Sequence, residues 1–314
     1  YGTSGFRSHN SEIEEIAVQI GTAMALLTCY KKQSFGIMIT ASHNHHEDNG
    51  VKIMDNKGHM VSEDIETYLE NFINNFYMDH PSIMPPFRPH IHVEDDDVKI
   101  LKDNNISIVI GYDSRASSPK IAKLIEKGIF RTNLKFPVKI LPYVTTPELH
   151  YVFANQPDDY FIYLQNCSDK IYYPCVVDCA NGIGSKKLLE LKNTHLSLIN
   201  YSWTYPKSLN HECSSDFVCS SKKLPQQSAK YFTNTLRASL DGDADRIVFY
   251  FLHKKNLAIL NGDYIAALVL TYLSKKLTNQ SEKLTLGYVY TGYTNQGCVD
   301  YVKSLKFPEN VELS

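Results

Sequence analysis

The chain has 314 residues and a formal net charge of −2, from 32 Lys and Arg against 34 Asp and Glu. That length passes the roughly 250–300 residues at which a single core stops growing, so two or more domains are expected. The balanced charge offers no basic excess for nucleic acid, and no apolar run approaches the ~20 residues needed to span a bilayer, so neither partner is expected. The seven cysteines (Cys29, Cys167, Cys175, Cys179, Cys213, Cys219 and Cys298) are scattered and contain no Cys-x-x-Cys pair. They read as reduced structural thiols of a cytoplasmic protein, and His211-x-Cys213 alone is too little for a zinc site.

Helices and strands alternate along the chain. Ser11 and Glu14 form a capping box opening a helix in which Ile13, Ile16, Ala17, Ile20, Met24 and Leu27 recur at helical spacing. An apolar strand at 35–39 runs into the polar stretch Thr40-Ala41-Ser42-His43-Asn44. Asp48-Asn49-Gly50 is a tight-turn signal, after which Val51-Lys52-Ile53 resumes a strand and brings Lys52 back toward Ser42. Residues 63–76 predict a helix through Ile65, Leu69, Phe72, Ile73 and Phe76, and 81–97 a surface excursion rich in proline, histidine and acid. A short strand at 106–110 ends in Gly111-Tyr112-Asp113, and a helix at 118–130 starts with Pro119. A strand at 138–141 leads through Thr145-Thr146-Pro147 into another helix. The polar, aromatic stretch 155–173 contains the first domain boundary. A strand at 175–178 and a helix at 186–191 follow, and then Asp241-Gly242-Asp243-Ala244-Asp245-Arg246 with a strong strand at 247–252. A third unit begins near Asn256, with a helix at 264–276, a strand at 286–290 and a turn at 291–297. This alternation predicts α/β layers.

The acidic hexapeptide is the most informative stretch. Spacing of i, i+2 and i+4 on an extended or looped backbone turns Asp241, Asp243 and Asp245 the same way. Crowded carboxylates repel unless something positive sits among them, and hard cations such as Mg²⁺ favour oxygen ligands. An EF-hand loop would need glycine and glutamate where Arg246 and Leu252 stand. An Asp-x-Asp phosphatase nucleophile would follow an apolar strand, whereas Arg237-Ala238-Ser239-Leu240 leads in here. A solvated Asp-Gly turn is the competing reading; Arg246 counts against it, because a cation there suits an anionic ligand shared with a metal. Ser42 alone fits an ordinary turn as readily as a nucleophile, and its setting is neither the nucleophile elbow nor a triad. The Gly2 to Arg7 segment is a glycine-flanked phosphate cradle or else a frayed terminus. A serine beside a carboxylate-held cation is the apparatus of phosphoryl transfer.

Gly2-Thr3-Ser4-Gly5-Phe6-Arg7, the Thr-Ala-Ser-His-Asn loop, Asn49-Gly50-x-Lys52 and Asp241 to Arg246 together resemble the phosphohexomutase family, which includes phosphoglucomutases and phosphomannomutases. In most of that family a Gly-x-Asp-x-Arg loop precedes the serine loop. Here Gly111-Tyr112-Asp113-Ser114-Arg115 and Thr145-Thr146-Pro147 follow it, an order that resembles the phosphoacetylglucosamine mutases. Residues Val177 to Gly184 and Leu209-Asn210-His211-Glu212-Cys213 are similar to that subfamily too, whereas His45 departs from the usual proline.

The resemblance implies three similar α/β domains around a central cleft: 1–160 with the phosphoserine loop, 161–255 with the metal loop, and 256–314 as a partial third. It implies a phosphate on Ser42, and Mg²⁺ held by Asp241, Asp243, Asp245 and an oxygen of that phosphoserine. Arg7 and Arg246 would neutralise phosphate, Lys52 would handle the attacking hydroxyl's proton, acting as base if its surroundings lower its pKa, and His43 would steady the loop or move a proton. The implied reaction interconverts the 6- and 1-phosphates of N-acetylglucosamine, so the implied partner is a small sugar phosphate. The family's sugar-recognition loop and its phosphate-binding fourth domain do not occur in this sequence, so a longer polypeptide is expected, with a natural truncation as the alternative. A glucose or mannose phosphate mutase and a non-catalytic relative stay open as further readings, as does the oligomeric state.

Overall fold

The computed structural model describes residues 5–74, 106–134, 137–154, 174–191, 195–231, 235–277 and 283–314. Gly2 to Ser4, Cys167, and the expected excursion at 81–97 and boundary stretch at 155–173 lie outside the described residues.

The first unit is built on β1 (Phe6–His9), α1 (Asn10–Lys31), β2 (Phe35–Ile39), β3 (Asp48–Met54), α2 (Glu63–Asn74), β4 (Ile108–Tyr112), α3 (Ser118–Phe130), β5 (Val138–Pro142) and α4 (Thr146–Ala154). Its sheet runs β1-β3-β2-β4-β5; β3 is antiparallel to both β1 and β2, and β4 is parallel to both β2 and β5. Every residue of β2 is buried, as a central strand covered on both faces requires. The helix expected from a Ser11 capping box starts two residues earlier, with His9 as the cap whose ring nitrogen accepts from Ser11 N; Ser11 thus falls inside the first turn. Helix α1 packs on α3 at backbone contact. A Cβ on Gly21 would lie 2.0 Å from Ile125 O, and one on Gly128 would lie 2.1 Å from Val18 O, so only glycine fits at this crossing.

Asp48-Asn49-Gly50, expected as a turn, instead opens β3. The reversal is made earlier, at 42–47. Asn49 donates to Ser117 and Ser118, and Gly50 lies so close to Phe6 O and Thr40 O that a side chain would not fit. Lys52 still returns beside the serine loop, because β3 pairs Lys52 with Met38.

The second unit comprises β6 (Cys175–Asp178), α5 (Gly184–Glu190), β7 (Leu196–Ile199), α6 (Ser215–Ser221), β8 (Leu236–Leu240), β9 (Ile247–His253) and β10 (Asn256–Leu260). Its sheet runs β10-β9-β8-β6-β7 and repeats the first sheet's pattern, two antiparallel neighbours and then two parallel ones. The stretch 237–240, read as unlike a strand for its polar residues, is β8. Both polar residues are satisfied inside: Arg237 donates to Ser228 Oγ, Thr235 O and Tyr231 O, and Ser239 donates to Asp178. Because β10 pairs with β9, sheet hydrogen bonding carries this unit to Leu260, past the expected boundary at 255.

A third unit contains α7 (Gly262–Lys276), β11 (Leu284–Leu286), α8 (Gln296–Ser304) and β12 (Val311–Leu313), with β11 and β12 parallel. Asn261 caps α7 by accepting from Tyr264 N. Among the described residues no helix is long and apolar enough to cross a membrane.

The first two units meet along a seam at the ends of their parallel strands. Glu148 of α4 pairs with Lys187 of α5 at 2.8 Å, both largely buried. Tyr143 meets Trp203 edge to face at 5.3 Å, with Lys186 Nζ 5.6 and 5.8 Å from the two ring centres.

At the end of β6, buried Asp178 ties the second unit together by accepting from Ala180 N, Asn200 Nδ2, Ser214 N and Ser239 Oγ. All four donors are neutral, so burial pushes its carboxyl above the usual range. Asp178→Asn would set an amide N–H₂ against donors and is expected to lower stability by about 1–3 kcal/mol, read as a shift in the denaturant midpoint. An unchanged midpoint would show that the four bonds are replaceable.

Candidate active site

Two hairpin loops face each other across the seam. The first joins β2 to β3 and carries Ser42; the second joins β8 to β9 and carries Asp241 to Arg246. They occupy the same place in two sheets of the same pattern. Both lie at the carboxyl ends of parallel strands, where open α/β sheets place their ligands.

Ser42 sits in the left-handed region at φ 47°, an uncommon and strained backbone for a residue with a side chain. Its backbone N–H donates to Thr40 Oγ1 at 3.0 Å, and Thr40 Oγ1 in turn donates to Asp113 Oδ2 at 2.8 Å. Arg115 fills the inside of the loop. Its Nη1 donates to His45 O and Asp48 O, its Nη2 to Ser42 O and Asn44 O, and its Nε to Asp113. Both Asp113 and Arg115 are buried. From the second unit, Asn210 Nδ2 donates to Ser42 O at 2.9 Å and to Asn44 O at 3.1 Å.

This cage turns the Ser42 hydroxyl toward the acidic loop. Ser42 Oγ donates to Asp243 Oδ2 at 3.1 Å, and Lys52 Nζ reaches Ser42 Oγ at 2.8 Å, Asp243 Oδ2 at 3.0 Å and Asp245 Oδ2 at 2.7 Å. Thr146, at the start of α4, donates its hydroxyl to Asp243 Oδ2 at 2.7 Å and its N–H to Asp243 O. Arg246 Nε lies 3.8 Å from Asp241 and 3.9 Å from Asp245. Arg7, on β1, donates to Asn44 Oδ1. Its guanidinium and the His43 ring are both close enough to Arg246 and Asp243 to feel their charge. The structure thus brings together all eight residues singled out from the sequence: Arg7, Ser42, His43, Lys52, Asp241, Asp243, Asp245 and Arg246.

The electrostatics assign charge states. Burial, together with repulsion from Asp243 and Asp245, pushes Asp241 up to about 9. Burial would raise Asp243 as well, but Lys52, Thr146 and Ser42 outweigh it and hold its carboxyl below the usual range. Burial, and then Arg246, depress His43, which is neutral at pH 7. Burial disfavours the charge of Lys52, but ion pairs with Asp243 and Asp245 outweigh burial and hold its pKa above the ordinary value, whereas a base would need it lowered. In this arrangement it is a cation.

One oxygen atom of each of Asp241, Asp243 and Asp245 lies within 4.8 Å of the others. Asp241 Oδ2 and Asp243 Oδ1 are buried with no hydrogen-bond donor. Buried acceptors facing no donor, in a cluster of three carboxylates, fit a hard divalent cation.

Comparisons with known proteins decide the family. A family profile described as phosphoglucomutase/phosphomannomutase, alpha/beta/alpha domain I, matches residues 2–78 and 98–165. Another, described as phosphoacetylglucosamine mutase AMG1, domain II, matches 142–248. A crystal structure of apo N-acetylglucosamine-phosphate mutase, a member of the alpha-D-phosphohexomutase superfamily, superposes with a TM-score of 0.78 at 30% identity, covering 100% of this chain and 72% of that one. The chain belongs to the phosphohexomutase family, on its phosphoacetylglucosamine mutase branch. Among curated phosphohexomutases, the phosphoacetylglucosamine mutase of Candida albicans is 33% identical over 98% of this chain and 62% of its own length. The human one is 31% identical over 97% of this chain and 59% of its own length. The chain therefore spans about three-fifths of the curated relatives it matches. The Aspergillus fumigatus enzyme, solved in complex with GlcNAc-6P and magnesium, superposes with a TM-score of 0.78 at 28% identity, covering 100% of this chain and 62% of that one.

Arg115, Asp113, Thr146 and Asn210 were not among the site residues expected. Their segments stood out as family-like, but their roles depend on partners up to 168 residues away that spacing does not reveal. Arg115→Ala would leave Asp113 a buried carboxylate without its cation and four loop carbonyls without these donors. A loss of about 3–5 kcal/mol is expected, measured by chemical denaturation; a loss under about 1 kcal/mol would mean the loop holds itself.

Proposed function

We propose that this chain forms the phosphoserine and metal-binding part of a magnesium-dependent, cytoplasmic phosphoacetylglucosamine mutase. It would interconvert N-acetylglucosamine 6-phosphate and N-acetylglucosamine 1-phosphate, supplying UDP-N-acetylglucosamine synthesis. The observation that carries the proposal is the convergence of Ser42 Oγ, Lys52 Nζ and Asp243 Oδ2 within 3.1 Å, from positions up to 201 residues apart. The proposed division is 1–160, 161–255 extended by β10 to about 260, and a partial third beyond. Among the described residues Cys175, Cys179, Cys213, Cys219 and Cys298 are thiols, which suits a reducing compartment.

In this reading Ser42 carries the phosphoryl group between turnovers. A sugar hydroxyl attacks phosphorus, the Ser42 Oγ–P bond breaks, the hydroxyl's proton ends on the departing Ser42 Oγ, and the resulting bisphosphate returns its other phosphoryl group to Ser42, which gives up that proton in turn. Asp241, Asp243 and Asp245, with an oxygen of phosphorylated Ser42, would hold Mg²⁺. When bound, that ion withdraws charge from a phosphoryl group and favours in-line transfer. The residues of this chain do the rest. Lys52, kept protonated by its carboxylates, donates to the Ser42 oxygen and steadies the charge that gathers there as the phosphoryl group leaves. Arg7 and Arg246 offer guanidinium donors on the other sides, suited to phosphate oxygens. Neutral His43, whose Nδ1 is buried without a hydrogen-bond partner, would steady the loop or move a proton. The strained Ser42 backbone and its carbonyl cage keep the nucleophile in place, so little reorganisation is needed at the moment of transfer.

Ser42→Ala is expected to abolish interconversion in a coupled assay for the 1-phosphate, and to remove phosphate from the intact mass while leaving the circular dichroism unchanged. Substantial turnover in that variant would sink the phosphoserine assignment. Separately, calorimetry without sugar should show one Mg²⁺ per chain and a raised melting temperature. Asp243→Asn should lose both, and retention of Mg²⁺ binding in that variant would place the metal elsewhere.

A further inference from the structure

We propose that Asn210 is a positioning residue: from the second unit, its side-chain amide locks the Ser42 loop in the strained conformation that aims the Ser42 hydroxyl at Asp243. The inference stands on geometry, and only the turnover arm of its test rests on the function proposed above.

The loop's own unit supplies one set of restraints. Arg115 Nη2 donates to Ser42 O at 3.0 Å and to Asn44 O at 3.2 Å. Asn210 Nδ2 serves the same two carbonyls at 2.9 and 3.1 Å. Each carbonyl has two lone pairs, so the donors share these acceptors without competing. The consequence differs, however. Arg115 ties the loop to the first sheet, whereas Asn210 ties it to the unit that carries the acidic loop. The distance between Ser42 and Asp243 therefore depends on Asn210 in a way it does not on Arg115.

The surroundings are shaped for this contact. Gly242 lies against it, and a Cβ there would come 2.7 Å from Ser42 O and 3.1 Å from Asn210 Nδ2. Asn210 itself adopts a left-handed backbone at φ 58°, and Glu212 (φ 49°) and Ser214 (φ 100°) follow it there, so the segment that presents the amide is strained. It is anchored at both ends, by Asn210 N on Ala180 O and by Ser214 N on Asp178. Asparagine tolerates this backbone better than most residues and offers two N–H donors from one nitrogen. Its orientation is fixed, since two facing carbonyls admit only the NH₂ end. The other end, Oδ1, is buried without a hydrogen-bond partner. Leaving an acceptor unpaired costs free energy, and that cost is accepted here to keep both N–H groups on the loop.

The test compares wild type with two variants in the protein as it occurs. Asn210→Gly keeps the left-handed backbone and removes the amide. Asn210→Asp keeps the shape and sets a carboxylate against the two carbonyls. Hydrogen–deuterium exchange without substrate is read on peptides covering 41–48 and on α1 and β2. Losing these two bonds is expected to speed loop exchange at least about tenfold in both variants, with α1 and β2 unchanged. In the turnover arm, kcat should fall about tenfold at unchanged KM, the pattern of lost transition-state positioning. Unchanged loop exchange would overturn the proposal, as would acceleration spread evenly over α1 and β2, which marks a loss of general stability. If the glycine variant fails to fold, the aspartate variant decides by the same criteria. Wild-type protein without turnover would remove the functional reading and leave the exchange result to decide the role of Asn210.

Discussion

A loop that presents a serine hydroxyl to a cluster of carboxylates must turn its own carbonyls the other way, into the protein, where each needs a donor. Arg115 meets that demand with a planar fork that reaches four carbonyls at once, while Asp113 beneath it balances its charge. Thr40 links the same carboxylate to the Ser42 amide, so the loop is held from both faces of its backbone. Remove the guanidinium and the carbonyls, the carboxylate and the strained Ser42 all lose support together. The placement of the nucleophile is therefore a matter of buried hydrogen bonding before it is one of catalysis.

The second demand is charge. Three carboxylates converge at the seam, and within the chain Lys52 answers most directly, paired with two of them. Asp241, whose side chain among the described residues has only distant Arg246 as an ion partner, is pushed toward neutrality by burial and by its neighbours. Such a cluster is poised for a cation of higher charge, and the two buried carboxylate oxygens without donors mark where its demand is greatest. The loop geometry and the charge pattern thus arise from separate parts of the chain and meet only in the folded protein.

Much of this was legible in the sequence, for physical reasons. The i, i+2, i+4 spacing of Asp241, Asp243 and Asp245 survives any extended or looped backbone, so their convergence could be read directly. Lys52 returned beside Ser42 because an antiparallel hairpin fixes register across its turn. What escaped was whatever depended on partners far along the chain. Asp48-Asn49-Gly50 carries a turn signal, yet neighbouring strands and Ser117 and Ser118 draw it into a strand. Ser239 looks wrong for a buried strand until its acceptor, Asp178, comes in from 61 residues earlier. The charge of Lys52 depends likewise on two carboxylates about 190 residues away, which spacing does not reveal.

The seam has one further consequence. Trp203 is the sole tryptophan in the sequence, and it clusters with Tyr143 of the first unit and Lys186 of the second. An indole packed against a phenol and near an ammonium emits differently from one in water. The chain therefore carries a built-in optical gauge at the joint between its two sheets. Ultraviolet fluorescence alone can report whether that joint opens, with no label attached and no residue replaced.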